Sequence, residues 1–255
     1  MEFRILGPIE VLDDDGESLP LGGGLARALL SALLLDAGMA VTRESLIDGL
    51  WASPPATAPH GLEVSASRLR RTIGRNRIVC HGSAYRIEVN AAELDLARFR
   101  TLAKSGRAAA AAGAMEEAAT ALSAALGVWR GDALACLNGE PFARDARAFL
   151  QEERLSALET AIDVDLALGR HDELVSELRR LVAVHPTRER LWGRLMVALY
   201  RCGRQIDALE AFTRLRSRLR DELGLEPGPE VRAVHRSILE HDPTLGPWPV
   251  ARVRV

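Results

Sequence analysis

Lysine is almost absent from this chain: Lys104 is the only one, beside 32 arginines among 255 residues. Aromatic residues make up only 4%, and the three cysteines, Cys80, Cys136 and Cys202, lie far apart. An odd number without paired spacing supports neither a disulfide framework nor a zinc site. The expectation is reduced, buried cysteines acting as small hydrophobic residues. Few aromatics beside abundant alanine and leucine argue against an aromatic-rich β core and for helices held by aliphatic seams. The most apolar stretch, Ala28–Leu35, is too short to cross a bilayer. The opening segment MEFRILGPIEVLDDD turns acidic before any apolar run that would make a signal peptide. The expected location is the cytoplasm, with no membrane partner.

Catalytic patterns are missing as well. Gly22-Gly23-Gly24 has no phosphate-loop lysine, and Lys104 has Arg98 and Ala103 where that loop requires glycines. There is no Gly-x-Ser-x-Gly, and the six histidines include no pair at metal-ligand spacing on one helix. The carboxylate pairs Glu152-Glu153 and Asp163/Asp165 fall on long amphipathic patterns, where a solvated face is the expectation. Trp129, Trp192 and Trp248 read as core or lid residues. No catalytic residue, cofactor site or metal site is expected, and the chain does not read as an enzyme.

What the chain does have is an uneven distribution of charge. The net charge is −2, yet residues 63–87 carry six arginines against one acid, Glu63. Residues 1–62 hold three basic side chains against nine acidic ones, and residues 91–255 balance at 24 against 24. A compact basic stripe inside a neutral protein suits a phosphate-facing surface.

The elements around that stripe can be read from turn and capping signals. Phe3–Leu6, Ile9–Leu12 and Ser18–Leu21 read as short strands. Ala26–Ala37 reads as a helix with Leu29, Leu30, Leu33 and Leu34 at helical spacing, stopped by Gly38. Thr42 caps a second helix, Arg43–Trp51, and Ser53-Pro54-Pro55 breaks the chain. A third helix opens with Pro59 in its first turn and runs to Ile73 before Gly74. Arg77–Cys80 and Tyr85–Val89 then form a hairpin around His81-Gly82-Ser83-Ala84. Small sheet, three helices and a hairpin is the order of a winged helix-turn-helix, with a boundary near Asn90 and a core of its own.

On a wheel at about 100° per residue, Leu62, Ala66, Leu69 and Ile73 of the third helix share one seam. His60, Val64, Ser67, Arg71 and Arg75 gather opposite, Arg68 lies beside them, and Arg70 is nearer the seam. A recognition helix needs this division: an apolar stripe to dock it, and arginine forks with small side chains to face a major groove. Arg77 and Arg86 extend the charge onto the hairpin, where Tyr85 and Arg86 are placed to reach the minor groove or its phosphates. The alternative is a solvated basic helix face.

Beyond residue 90 the pattern is wholly helical, over 94–112, 114–129, 142–168, 171–184, 188–202, 205–223 and 229–240. Gly169-Arg170 and Gly203-Arg204 each open a helix and stand 34 residues apart, the tetratricopeptide period. Gly113-Ala114 is a looser third opening. The tail after His241, with Pro243, Pro247 and Pro249, is expected to fray.

Several stretches in order resemble the Streptomyces antibiotic regulatory protein family in its small stand-alone form. They are FRILGP (3–8), RALLSALLL (27–35), LIDGLW (46–51), PPAT (54–57), SRLRR (67–71), LDLARF (94–99), ALGRHDEL (167–174) and LGLEPGP (223–229). The resemblance implies a mainly α protein with a small N-terminal β-sheet. It would have an OmpR-like winged helix-turn-helix domain at 1–90, an all-α tetratricopeptide-like bacterial transcriptional activation domain at 91–245, and a flexible tail at 246–255. It further implies binding of double-stranded promoter DNA at direct repeats near the −35 element. A homodimer on DNA would recruit RNA polymerase holoenzyme through its sigma factor and core subunits, to activate a secondary-metabolite (antibiotic) gene cluster. Arg68 and Arg71 match the family's recognition-helix arginines and Arg86 its wing. The chain departs from the family at Gly24-Leu25-Ala26, where members commonly have Pro-Lys-Gln, at Ser65 and Ala66, at Glu63 beside the groove-facing side chains, and at Ala84 in the wing. A helical-repeat adaptor or co-regulator with weakened or lost promoter binding is the other reading.

Overall fold

The structure, a computed structural model, describes residues 1–137 and 139–246. The chain packs as two compact units, residues 1–108 with 120–157, and residues 109–119 with 158 onward.

The first unit opens with an antiparallel pair, β1 (Glu2–Arg4) and β2 (Glu10–Leu12), with Phe3 opposite Val11. Both of these residues are fully buried while their neighbours are partly exposed, the alternation of a half-buried sheet. The strand expected at Ser18–Leu21 reduces to a single bridge between Leu12 and Ser18. Then come α1 (Gly24–Leu35), β3 (Val41–Thr42), α2 (Arg43–Leu50), α3 (Ala58–Ile73), β4 (Ile78–His81) and β5 (Ala84–Ile87). Thr42 caps α2 as its residue type suggested, accepting from the Ser45 backbone N–H at 3.2 Å. Thr42 also pairs with Ala84, because β3 joins the hairpin in a three-stranded sheet of order β3-β5-β4. Sequence reading missed β3: two residues carry no alternation to detect, and only the pairing defines them.

The expectation that residues 1–90 close their own core is corrected here. The core around Leu29, Leu30, Leu62 and Leu69 continues through Leu96, Phe99, Trp129, Leu134 and Leu150. Backbone bonding continues past residue 90 as well. Asp95, at the start of α4 (Asp95–Ala111), is 2% exposed and accepts from the N–H groups of Ile5 at 2.9 Å, Leu6 at 2.8 Å and Leu96 at 2.8 Å. The carbonyls of Ile5 and Leu6 accept from Leu134 and Arg130. A chain ending at residue 90 lacks Asp95, Arg130 and Leu134 as partners for Ile5 and Leu6, and lacks the apolar side chains of Leu96, Phe99 and Trp129 that share their core. Burial pushes the Asp95 carboxyl above its usual range despite its backbone donors. Helices α5 (Met115–Gly127) and α6 (Pro141–Ala167) complete this part of the chain. Gly106 of α4 is buried, and a Cβ there would lie 2.6 Å from the Leu122 side chain, so a close approach of α4 and α5 requires glycine.

The second unit stacks α7 (His171–Val184), α8 (Glu189–Arg201), α9 (Gln205–Leu223) and α10 (Pro229–Leu239). Leu178, Leu191, Met196, Leu199, Leu215 and Ile238 fill its interior. The repeat is visible in its hydrogen bonds. Arg170 N–H donates to Asp165 and Gly169 N–H to Leu166, while 34 residues on Arg204 donates to Leu199 and Gly203 to Tyr200. Ala114 and Gly113 make the same two bonds to Ala109 and Ala110. Gly113, Gly169 and Gly203 all have φ between 72° and 82°, the left-handed backbone glycine adopts without penalty. The third opening therefore shares the geometry of the other two.

Three further expectations change. Cys80 and Cys136 are exposed rather than buried. Cys202 is half-buried, and burial with the Asp172 carboxylate beside it pushes its thiol up to about 12. The carboxylates expected to face only solvent hold arginines: Glu153 pairs with Arg100 at 3.0 Å, Asp163 with Arg194 at 2.6 Å and Asp165 with Arg170 at 2.8 Å. In the tail, Pro243–Leu245 form a 3₁₀ turn and the Leu245 carbonyl accepts from Arg201 at 2.8 Å. Of the flexible tail expected at 246–255, positions 247–255, including Pro247, Trp248 and Pro249, lie outside the described residues.

Candidate nucleic-acid interface

Helix α3 divides along its length as the wheel divides it. Leu62, Ala66 and Leu69 are fully buried and Ile73 nearly so, with Ser65 at the seam's edge also buried. His60, Val64, Ser67, Arg68 and Arg71 are exposed on the other side, Val64 at 52%. Arg75 is exposed just after Gly74, whose φ of 105° ends the helix. None of Arg68, Arg71 and Arg75 is in an ion pair among the described residues. Arg70 lies where the wheel put it, off this face. Its Nε donates to the Ile78 carbonyl at 2.7 Å and its guanidinium sits 6.0 Å from the Tyr85 ring centroid, tying the helix to the hairpin.

The hairpin does not extend the basic face as expected. Arg77 makes a bidentate pair with Glu93, at 2.6 and 2.8 Å, donates to the Glu88 carbonyl, and lies 5.8 Å from the Phe3 ring centroid. The Arg77 guanidinium holds the Glu93 carboxyl below the usual carboxylate range, and Glu93 raises Arg77 in return. Arg77 thus fastens β4 to the 3₁₀ turn Ala91–Glu93 instead of standing free. Arg86 is half-buried and paired with Glu88 at 2.5 Å. Tyr85 is 2% exposed and belongs to the core, so it cannot reach a groove. What the hairpin presents to solvent is its tip, Cys80, His81, Gly82 and Ser83.

Two neighbours of α3 were not legible in the sequence. Glu63, the one acid in the basic stripe, is held by Arg43 of α2 at 3.0 Å, which offsets the negative charge beside the arginines. Gly22, with φ of 87°, lies directly against Arg68: a Cβ there would be 2.9 Å from Cδ and 3.2 Å from Nη1. The glycine run was conspicuous, but reading it as an incomplete phosphate loop gave no hint of an arginine 46 residues later. Arg27 also stands exposed in the first turn of α1.

Among the described residues no helix is long and apolar enough to cross a membrane, and no group of three or more His, Cys, Asp or Glu side chains is placed to hold a metal ion.

Residues 94–239 match the family described as the bacterial transcriptional activator domain, and residues 22–86 match the one described as transcriptional regulatory protein, C terminal. The chain is 37% identical over 256 residues to the regulatory protein DnrI of Streptomyces peucetius, covering 95% of this chain and 93% of DnrI. It is 42% identical over 246 residues to the regulatory protein AfsR of Streptomyces griseus, covering 96% of this chain. There it spans 25% of the relative's length. The structure of Mycobacterium tuberculosis EmbR in complex with a low-affinity phosphopeptide is similar with a TM-score of 0.90 and 35% identity, covering 94% of this chain and 65% of EmbR.

Proposed function

The chain belongs to the Streptomyces antibiotic regulatory protein family of transcriptional regulators, and we propose that it is a DNA-binding activator whose α3 enters the major groove of promoter DNA. The observation that carries this reading is the face of α3: small and polar side chains with unpaired arginines, on a helix locked to the core by Leu62, Leu69 and Ile73. Arginine forks of that kind pair with guanine edges, and Ser67 and Val64 leave room for a base pair or a thymine methyl group beside them. His60, Arg68, Arg71 and Arg75 complete the interface. Arg77 acts at one remove, by fixing the hairpin through Glu93, while the charge of Arg86 is taken up by Glu88 two residues on.

The operator on this reading is a pair of direct repeats near a −35 element, occupied by a homodimer. The division of labour is a DNA-binding segment over 1–90 and an activating segment over 91–245. The stacked helices supply the surface for RNA polymerase holoenzyme. A groove of about 630 Å³ between the end of α6, α8 and the start of α10 supports a partner-binding role. Leu166, Gly193, Val197, Val231 and Val234 line it. Control of a secondary-metabolite gene cluster is the physiological role that accords with relatives such as DnrI and AfsR.

DNase footprinting across the intergenic regions of its own gene neighbourhood tests the operator, and transcription with purified polymerase tests activation. Protected direct repeats with stimulated transcription are the expected result. A second reading, a helical-repeat adaptor or co-regulator with weakened or lost promoter binding, is favoured by the pairing of Arg77 and Arg86, and predicts faint footprints or none at these regions.

A further inference from the structure

Resting on the DNA-binding reading of α3, we propose that Arg68 grips a backbone phosphate rather than a base, and that Gly22 is the positioning residue that aims it.

Arg68 and Arg71 stand one turn apart on the exposed face of α3, and their spacing alone makes them equivalent. The fold separates them. The outer half of the Arg68 side chain occupies the place where a Gly22 side chain would begin, with Cδ, Nη1 and Nε at 2.9, 3.2 and 3.3 Å from the Cβ position. Its guanidinium therefore lies beside the loop that leads into α1, on the flank of α3 nearest Gly22. When a helix occupies a major groove, base edges lie beneath its outer face and the sugar-phosphate strands run along its flanks. A guanidinium held on the flank meets a phosphate.

The loop is shaped for such an approach. Gly22, Gly23 and Gly24 are all exposed, and the space around the Cβ positions of Gly23 and Gly24 is open. A backbone bare of side chains lets a bulky anion come down onto Arg68. A side chain at Gly22 would occupy the place of the Arg68 stem and displace it, because the atoms it meets are the far end of a flexible side chain. Arg71, exposed and unpaired one turn on, is left as the base-reading arginine.

The test uses the full chain and a duplex carrying its footprinted site, with affinity measured from 50 to 200 mM salt and against single-base variants of the site. Arg68→Ala is expected to lower the slope of log affinity against log salt by about 0.9, so the affinity ratio between the two salt limits shrinks about 3.5-fold. Its ranking of site variants stays that of the parent. Arg71→Ala is expected to relax preference at one base pair by about 5- to 150-fold. Gly22→Asn keeps a residue that tolerates left-handed backbone, and is expected to lower the slope as Arg68→Ala does. The double variant should fall no further, since Gly22 acts only through Arg68. Should Gly22→Asn fail to fold by circular dichroism, the Arg68→Ala and Arg71→Ala arms still decide the phosphate assignment.

An unchanged slope with relaxed base preference in Arg68→Ala overturns the assignment while leaving the DNA-binding reading in place. Additive losses in the double variant overturn the role of Gly22. Absence of salt-dependent binding by the parent protein overturns both this inference and the function it rests on.

Discussion

Arginine does opposite work in α3 and in the helices of the second unit. Arg188 and Arg194 face the buried carboxylate of Glu159, Arg204 faces Asp207, Arg216 faces Glu226 and Arg218 faces Glu222. Among the described residues no carboxylate pairs with Arg68 or Arg71 on α3, and the acid of that helix, Glu63, is already taken by Arg43. The side chains are chemically the same. Whether an arginine braces the fold or remains available to an anion depends on whether a folded neighbour has already neutralised it. The hairpin falls on the bracing side: Arg77 and Arg86 lie in the basic stripe of the sequence yet behave like the arginines of α8.

Four measurements would break or sharpen this contrast. The largest effect is expected for Glu159→Ala. Glu159 is 4% exposed and holds Arg188 at 2.7 Å and Arg194 at 3.7 Å. Removing it should destabilise the second unit by about 3–5 kcal/mol in denaturant titration. A loss below the scatter of the titration would mean that these arginines are no more engaged than those of α3.

Leu69→Ala should cost about 2–5 kcal/mol, because the side chain is fully buried beneath the arginine face. DNA affinity should then fall in proportion to the unfolded fraction and return on cooling. If the variant melts like the parent, the face opposite Leu69 is not the presented one.

Arg71→Ala should leave the melting curve within about 0.5 kcal/mol of the parent while losing about 1–3 kcal/mol of binding to the footprinted site. Arg216→Ala, which removes a solvent-exposed pair with Glu226, should leave binding unchanged. Equal effects of the two variants on binding would erase the distinction between free and paired arginines.

The smallest effect is a pH dependence at the hairpin. Arg77 holds Glu93 below its ordinary value, so the contribution of the pair is fully present above the unfolded value of about 4.3 and is lost as pH falls through the lower folded value. Glu93→Gln should remove about 1 kcal/mol at pH 7, a figure kept small because the pair is partly exposed. It should also flatten the decline in stability below about pH 4. A variant whose acid limb coincides with the parent's would show that the bidentate pair carries no stability.

The seam of α3 was legible because a helix turns by a constant angle, so burial of Leu62, Ala66, Leu69 and Ile73 follows from their spacing alone. Repeat openings at Gly169 and Gly203 were legible for a similar reason, since the same short-range bonds recur 34 residues on. Thr42 marked the start of α2 through local backbone chemistry, whereas α1 ends at Leu35, ahead of the end expected at Gly38. The partners of the arginines were hidden. Arg77 with Glu93 and Arg43 with Glu63 stand 16 and 20 residues apart in the sequence, and no periodic rule connects them. The exposure of Cys80 and Cys136 was hidden too, because residue type carries only an average tendency to burial.

The sequence by itself determined which helices form, which face of each is apolar, and where charge concentrates, because these depend on neighbours within a few positions. Only the tertiary structure decided which of those charges remain free. It brought Asp95 under Ile5 and Leu6, Glu93 against Arg77 and Gly22 beneath Arg68, contacts between segments whose separation along the chain encodes nothing about their distance in space.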